Sequence, residues 1–219
     1  NYAIIKNAYQ GIVVVDPAPS GTKLTLNESI IENAYDVGLG AINSSITARN
    51  LLISNCGQNV ALTGGGTYNF THCTIASFSN TYVPHKKPVL YLSDFYNQNG
   101  APIVRNLNAI FTNCIFWGEA NGFVDNEVLD TIRGASRPIF QHVLWRMKTV
   151  SAKLVPTGKV LNEDPQFDSI NTSRRFYNFR LDKGRSRAID NGTNAGVTVD
   201  LDGRPRPVGL PDLGAYEKQ

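Results

Sequence analysis

The sequence predicts an all-β fold: a right-handed parallel β-helix, a solenoid of about six coils over residues 1–147, closed by a C-terminal capping segment over 148–219. Three observations carry this expectation. A ten-residue pattern recurs in one register, its columns are filled by β-branched and aromatic side chains, and its bends are rich in Asn, Ser and Thr. A unit this short cannot bury its apolar side alone, but stacked copies place like residues above one another and close a continuous core.

The pattern opens as "AIIKN" (3–7), which matches "SIIEN" (29–33). "LTLNESIIEN" (24–33), "ITARNLLISN" (46–55) and "YNFTHCTIAS" (68–77) follow at a spacing of 22, and "AIFTNCIFWG" (109–118) and "PIFQHVLWRM" (138–147) continue it. The columns are Leu24, Ile46, Tyr68, Ala109, Pro138; then Leu26, Ala48, Phe70, Phe111, Phe140; then Ile31, Ile53, Ile75, Phe116, Trp145. Apolar and polar residues alternate, a polar residue interrupts, and a second apolar run begins, which reads as two short strands joined by a bend. A helical solenoid would need a 3.6-residue period, and a leucine-rich repeat would need its leucine framework; neither is present.

The bends hold two polar columns: Glu28, Asn50, His72, Asn113, His142, and Asn7, Asn33, Asn55. Asn tolerates the left-handed backbone, and stacked amides can bond along a ladder. His72 and His142 therefore read as ladder members rather than catalytic groups. Cys73 and Cys114 share a column with Ser29, Leu51 and Val143, and three cysteines make no disulfide framework, so they are expected to be buried free thiols. The five N-x-[ST] triplets are a by-product of such bends.

Two stretches exceed the regular coil: residues near 79–104 and near 119–137. Both leave the same corner of consecutive coils and are expected to stack into one wall, where binding residues concentrate. Tyr82, His85, Lys86, Asp94, Tyr96 and Arg133 are the candidate substrate-binding residues, expected to be exposed on a common groove. Aromatic faces beside basic groups suit the stacking of sugar rings and the recognition of acidic substituents. The competing reading is that residues 89–92 form an extra strand and the aromatics pack it down.

Composition narrows the partners. Lys and Arg number 21 against 18 Asp and Glu, a net charge of +3 without a basic run, which argues against nucleic acid. No apolar stretch is long enough for a membrane-spanning helix. The outward row Thr25, Thr47, Asn69, Ile110, Ile139 is neutral and offers neither the base of a lyase nor the paired carboxylates of a glycosidase. Asp200 and Asp202 could begin a calcium loop, but position 211, where an EF-hand needs Glu, is proline. No metal or other cofactor is expected.

The tail contains "NEDPQF" (162–167), "FYNFRLDKGRSRAIDNGTN" (176–194) and "DLDGRPRPVGLPDLGAYE" (200–217). Together these resemble the carboxy-terminal signature of secreted bacterial right-handed β-helix proteins, related in fold to pectate lyases and found in Bacteroidetes-type surface and polysaccharide-utilisation systems. Arg187 and Leu213 depart from the usual proline and isoleucine, and His142-Val143 stands where Asp-His-Cys or Asn-Cys is common. The resemblance implies a secreted or cell-surface location and a polysaccharide or glycan partner. The expectation is a monomeric polysaccharide-binding module, the carboxy-terminal part of a longer protein whose missing coils begin before "NYAIIKNAY". The alternatives are a lyase or glycosidase acting on acidic glycans and a non-catalytic stalk or adhesin. An exposed last coil needs cover, and the tail is expected to cap it.

Overall fold

The protein is described by a computed structural model covering residues 2–18, 20–80, 82–181 and 185–219. No helix occurs among these residues. The strands are β1 (Ile4–Lys6), β2 (Gln10–Val15), β3 (Leu24–Glu32), β4 (Val37–Ser54), β5 (Gln58–Thr71), β6 (Thr74–Ser77), β7 (Leu90–Leu92), β8 (Phe95–Gln98), β9 (Ala101–Val104), β10 (Leu107–Gly118), β11 (Val128–Asp130), β12 (Ile139–Trp145), β13 (Val155–Leu161), β14 (Phe167–Asn171) and β15 (Phe176–Leu181). All but β8, β9, β14 and β15 pair in parallel, coil on coil, which makes the chain a parallel β-helix.

The stack has three faces. On the first, Leu26, Ala48, Phe70, Phe111 and Phe140 lie in register; on the second, Ile5, Ile31, Ile53, Ile75, Phe116 and Trp145 do. Both rows are the expected columns. Phe70 stacks on Phe111 at 5.4 Å between ring centroids and Phe111 on Phe140 at 4.8 Å, so the core gains aromatic contact beyond simple burial. The third face was not read from the sequence. It aligns Ile12, Leu39, Val60, Leu90 and Val128 inward, with β7 and β11 supplying its last two rungs from inside the two expected excursions.

The bends take the left-handed backbone that their residues predict. Glu28, Asn50, His72, Asn113 and His142 all have φ between 45° and 55°, and Asn7, Asn33 and Asn55 lie between 53° and 56°. These two corners separate the faces in every coil where they occur.

The tail differs from expectation in two ways. Parallel stacking runs past residue 147, because β13 pairs with β12 and adds a further partial rung. The remainder does not close the end of the last coil but lies along the second face. That face presents an outward row of Ile30, Leu52, Thr74, Ile115, Leu144 and Leu161, too apolar to leave in water. The antiparallel pair β14 and β15 and the final segment cover it with Phe167, Phe179, Leu181, Leu201, Leu213, Ala215 and Tyr216.

Candidate functional site

The two excursions meet as one wall. β7 pairs with β11, and Ser79 N donates to Glu119 Oε1 at 2.8 Å. Yet two candidate residues are the rivets of that wall, not its surface. Asp94 is fully buried: its Oδ1 accepts Arg133 N at 2.9 Å, and its Oδ2 accepts Gly134 N at 2.8 Å and Ser136 Oγ at 3.3 Å. His85 is only 2% exposed, with Nε2 3.0 Å from Glu127 Oε1. That same oxygen accepts Arg146 Nη2 at 2.5 Å, so the buried carboxylate has a cation beside it. The expectation that His85 and Asp94 face solvent is corrected: a buried carboxylate holds the wall together by accepting donors from the neighbouring excursion.

The other candidates are not gathered on one groove. Arg133 lies over Phe95 at 3.9 Å, Arg105 over Tyr96 at 4.9 Å and Lys86 over Phe123 at 5.7 Å, so aromatic and basic groups pair with each other across the wall. Of the six candidates only Tyr82 lines a cleft of about 710 Å³ that lies elsewhere on the coils.

That cleft is built on the Asn corner. Its floor is Lys6, Asn7 and Ala8, Glu32 and Asn33, and Ser54 and Asn55 of three successive coils. Tyr35 and the first excursion (Asn80, Tyr82, Val83) wall it on one part of the rim, and Arg175, Phe176 and Tyr177 of the tail hairpin on another. Its aromatic rim is open: Tyr35 is 63% exposed, Tyr82 66% and Phe176 55%. Tyr9, 70% exposed, stacks on Tyr35 at 5.8 Å, and the Arg175 guanidinium lies over Tyr82 at 4.8 Å.

The polar groups of the floor differ in how far they are satisfied. Lys6 Nζ pairs with Glu32 Oε1 at 2.8 Å, and Asn55 Oδ1 accepts Phe78 N at 2.8 Å. Asn33 Oδ1 and the Tyr177 hydroxyl are buried without a partner. Burial, and then the charge of Glu119, raise the Tyr177 pKa, which keeps the hydroxyl protonated. Both atoms are sealed from solvent, so they are unsatisfied groups of the packing rather than open ligand contacts.

One signal for this site was present in the sequence. The triplet Asn-Ala-Tyr occurs twice, at 7–9 and 33–35, and stacks an exposed tyrosine on its copy beside the Asn ladder. No local signal could bring Arg175, Phe176 and Tyr177 to the same place, since they come from the tail folded back over the second face.

No protein-family model and no curated protein matches the sequence. Among solved structures the chain is similar to one titled "Crystal structure of pectate lyase Pel9A", at 16% identity and a TM-score of 0.36, over 99% of this chain and 70% of that one. The parallel β-helix architecture rests on the strand pairing itself, coil by coil. No helix among the described residues is long and apolar enough to cross a membrane.

Proposed function

We propose that this chain is a polysaccharide-binding β-helix module of a secreted or cell-surface protein, and that its contact is the cleft over the Asn corner. The observation that carries this reading is the open ring of Tyr35, Tyr82 and Phe176 around a floor of amides and one ion pair. Sugar rings stack their C–H faces on aromatic rings and present hydroxyls sideways to amides, so this combination suits a glycan. Among the described residues Glu32 is the one carboxylate lining the cleft, and it is tied to Lys6. Glycoside cleavage uses two carboxylates across the scissile bond, so the arrangement favours binding over hydrolysis.

The test is a glycan array with the intact chain, followed by calorimetric titration of Tyr35→Ala and Tyr82→Ala. Loss of an aromatic platform should weaken binding roughly tenfold or more, with melting almost unchanged because both rings are exposed. Binding that survives both substitutions would place the contact elsewhere.

A further inference from the structure

We infer that the glycan site continues around the Asn corner into a second subsite, a groove of about 530 Å³ on the outer side of the third face, so that one oligosaccharide lies along the strands and occupies both. This rests on the reading of the cleft as a glycan site and gives that site a length and a direction.

The first support is that the same four passes of the chain line both concavities. The first pass gives Asn7 to the cleft and Val13 to the groove, the second Asn33 and then Gly40, and the third Asn55 and then Ala61. The first excursion completes both, with Tyr82 in the cleft and Tyr91 in the groove. At the corner between them Tyr9 and Tyr35 stand stacked and exposed, but the ridge drops at the third pass. The residue there is Gly57, and a Cβ on it would lie 2.1 Å from Tyr35 O, so the close packing of the coils keeps any side chain off this point. A ligand crosses the corner here beside the Tyr35 ring rather than over it.

The second support is the chemistry of the groove. Val13, Gly40, Ala61 and Tyr91 lie in one register row, all facing outward between inward-facing core residues. The two small residues leave a trough, and the strands that carry its walls, Val13 and Tyr91, are three rungs apart, about 14 Å at the usual strand spacing. Gln10, Asp36, Gln58 and Lys87 line the end nearest the corner, with Gln10 Nε2 donating to Asp36 Oδ2 at 2.8 Å. An apolar floor with polar groups at its entrance suits a pyranose, whose C–H faces rest on apolar surface while its hydroxyls point sideways. A peptide that binds as an added strand needs a free sheet edge, and β4, β5 and β7 are paired on both sides across this face.

The experiment titrates the intact chain with gluco-, xylo- and galacturono-oligosaccharides from disaccharide to octasaccharide. A disaccharide held in the cleft leaves the groove empty, whereas an octasaccharide covers both. The octasaccharide of the sugar that binds should therefore be held at least tenfold more tightly than its disaccharide. Ala61→Leu fills the trough from an outward-facing position, so it should remove that gain, leave the disaccharide affinity as in wild type and barely change melting. Tyr91→Ala takes away one wall and should likewise weaken only the longer ligands, by about tenfold. Equal affinity at every length, or a length gain that survives either substitution, overturns the second subsite and leaves the cleft standing. Binding to no oligosaccharide of any length overturns the cleft as a glycan site and this inference with it.

Discussion

Arg206 Nη1 donates to Asn50 Oδ1 at 2.9 Å, joining residues 156 apart in the chain, and both side chains are sealed from solvent. The bond shows what the bend column is for. Asn50 Nδ2 donates to Val199 O, His72 Nδ1 lies 3.1 Å from Asp212 O, Asn113 Nδ2 donates to Thr193 O, and His142 Nδ1 lies 3.3 Å from Asn191 O. These four rungs of the corner thus each hold a different part of the tail against the second face. The same tail supplies Arg175, Phe176 and Tyr177 to the cleft, so the clasp and the candidate site are mechanically continuous.

Arg206 should be the costliest single position of the clasp. Its Nε donates to Glu217 Oε2 at 2.8 Å and its Nη2 to Gly214 O at 3.0 Å, all within the buried interface. Glu217 also accepts the backbone amides of Val208 and Asp212. Arg206→Met leaves the Glu217 carboxylate buried without its cation, a change expected to cost about 3–5 kcal/mol in urea unfolding. The double variant Arg206→Met, Glu217→Gln should recover part of that loss, because the orphaned charge is gone. A single-variant loss below about 1 kcal/mol would mean that the ion pair does not hold the tail.

His72 should make stability depend on acidity. Burial, followed by the positive charge of Arg206, lowers its pKa to about 3 from the ordinary 6.5. The unfolded chain therefore takes a proton that the folded one refuses, so this contribution is complete above pH 6.5 and is lost as the pH falls toward 3. Asp212 works in the opposite direction: burial raises its pKa to about 6 from 3.8, so its proton favours the folded state below pH 6. The wild type should be nearly flat where the two overlap. His72→Asn, which tolerates the φ of 52°, removes one side of the balance. Measured against wild type, its stability should improve by about 2 kcal/mol between pH 7 and pH 5. A difference that does not change with pH would show that His72 titrates normally in the folded protein.

The sequence made the two apolar faces legible because their columns repeat at constant spacing, and the left-handed corners because Asn, His and Glu recur at one position. The third face escaped because its rungs start at irregular distances and its outward positions vary, as in Val13, Gly40, Ala61 and Tyr91. His85 and Asp94 were misread for a physical reason. A polar residue in a long excursion looks exposed in one dimension, whereas the neighbouring excursion, 40 residues on, supplies the amides that bury Asp94. The motif "DLDGRPRPVGLPDLGAYE" reads in the sequence as a cover for the last coil, whereas in the structure it lies along the side of the coils. Asp200 Oδ1 accepts Asp202 N and Arg204 N while its Oδ2 accepts Glu217 N, so the carboxylate folds the segment back on itself, and its apolar residues fit the side of the coils.

Removing the final segment should expose the flank rather than an end. Without residues 196–219, Leu52, Ala76, Ile115 and Leu144 lose Leu201, Leu213, Ala215 and Tyr216 as cover. The truncated chain should self-associate, visible by light scattering, and bind a dye sensitive to apolar surface. A finer probe is Gly214→Ala. A Cβ there would lie 2.6 Å from Thr74 Oγ1 and 2.8 Å from Ile115 Cδ1, at a φ of 89°, so the tail must lift for the side chain to fit. A loss of about 1–3 kcal/mol is expected. A truncated chain that stays monomeric, with unchanged melting in the point variant, would remove the flank-covering role.

The thiols offer a readout of the coil stack itself. Cys56, Cys73 and Cys114 are buried and free, and each donates to a backbone carbonyl two residues earlier, at 3.3 Å, 3.4 Å and 3.3 Å. Burial pushes the Cys56 thiol up to about 12 and raises that of Cys114 well above its ordinary value. At pH 8 the reactive thiolate of Cys56 is therefore only about one part in ten thousand, and the coils also block any reagent from reaching it. The native protein should react negligibly with a disulfide reagent over hours, and should release all its thiols at once in denaturant. At denaturant concentrations below the unfolding midpoint, the labelling rate should follow the opening equilibrium of the stack, so that Arg206→Met, which weakens the clasp, speeds labelling in proportion to its loss of stability. Rapid labelling without denaturant, or a mass two units low from a Cys73 to Cys114 bridge, would contradict a sealed, reduced core.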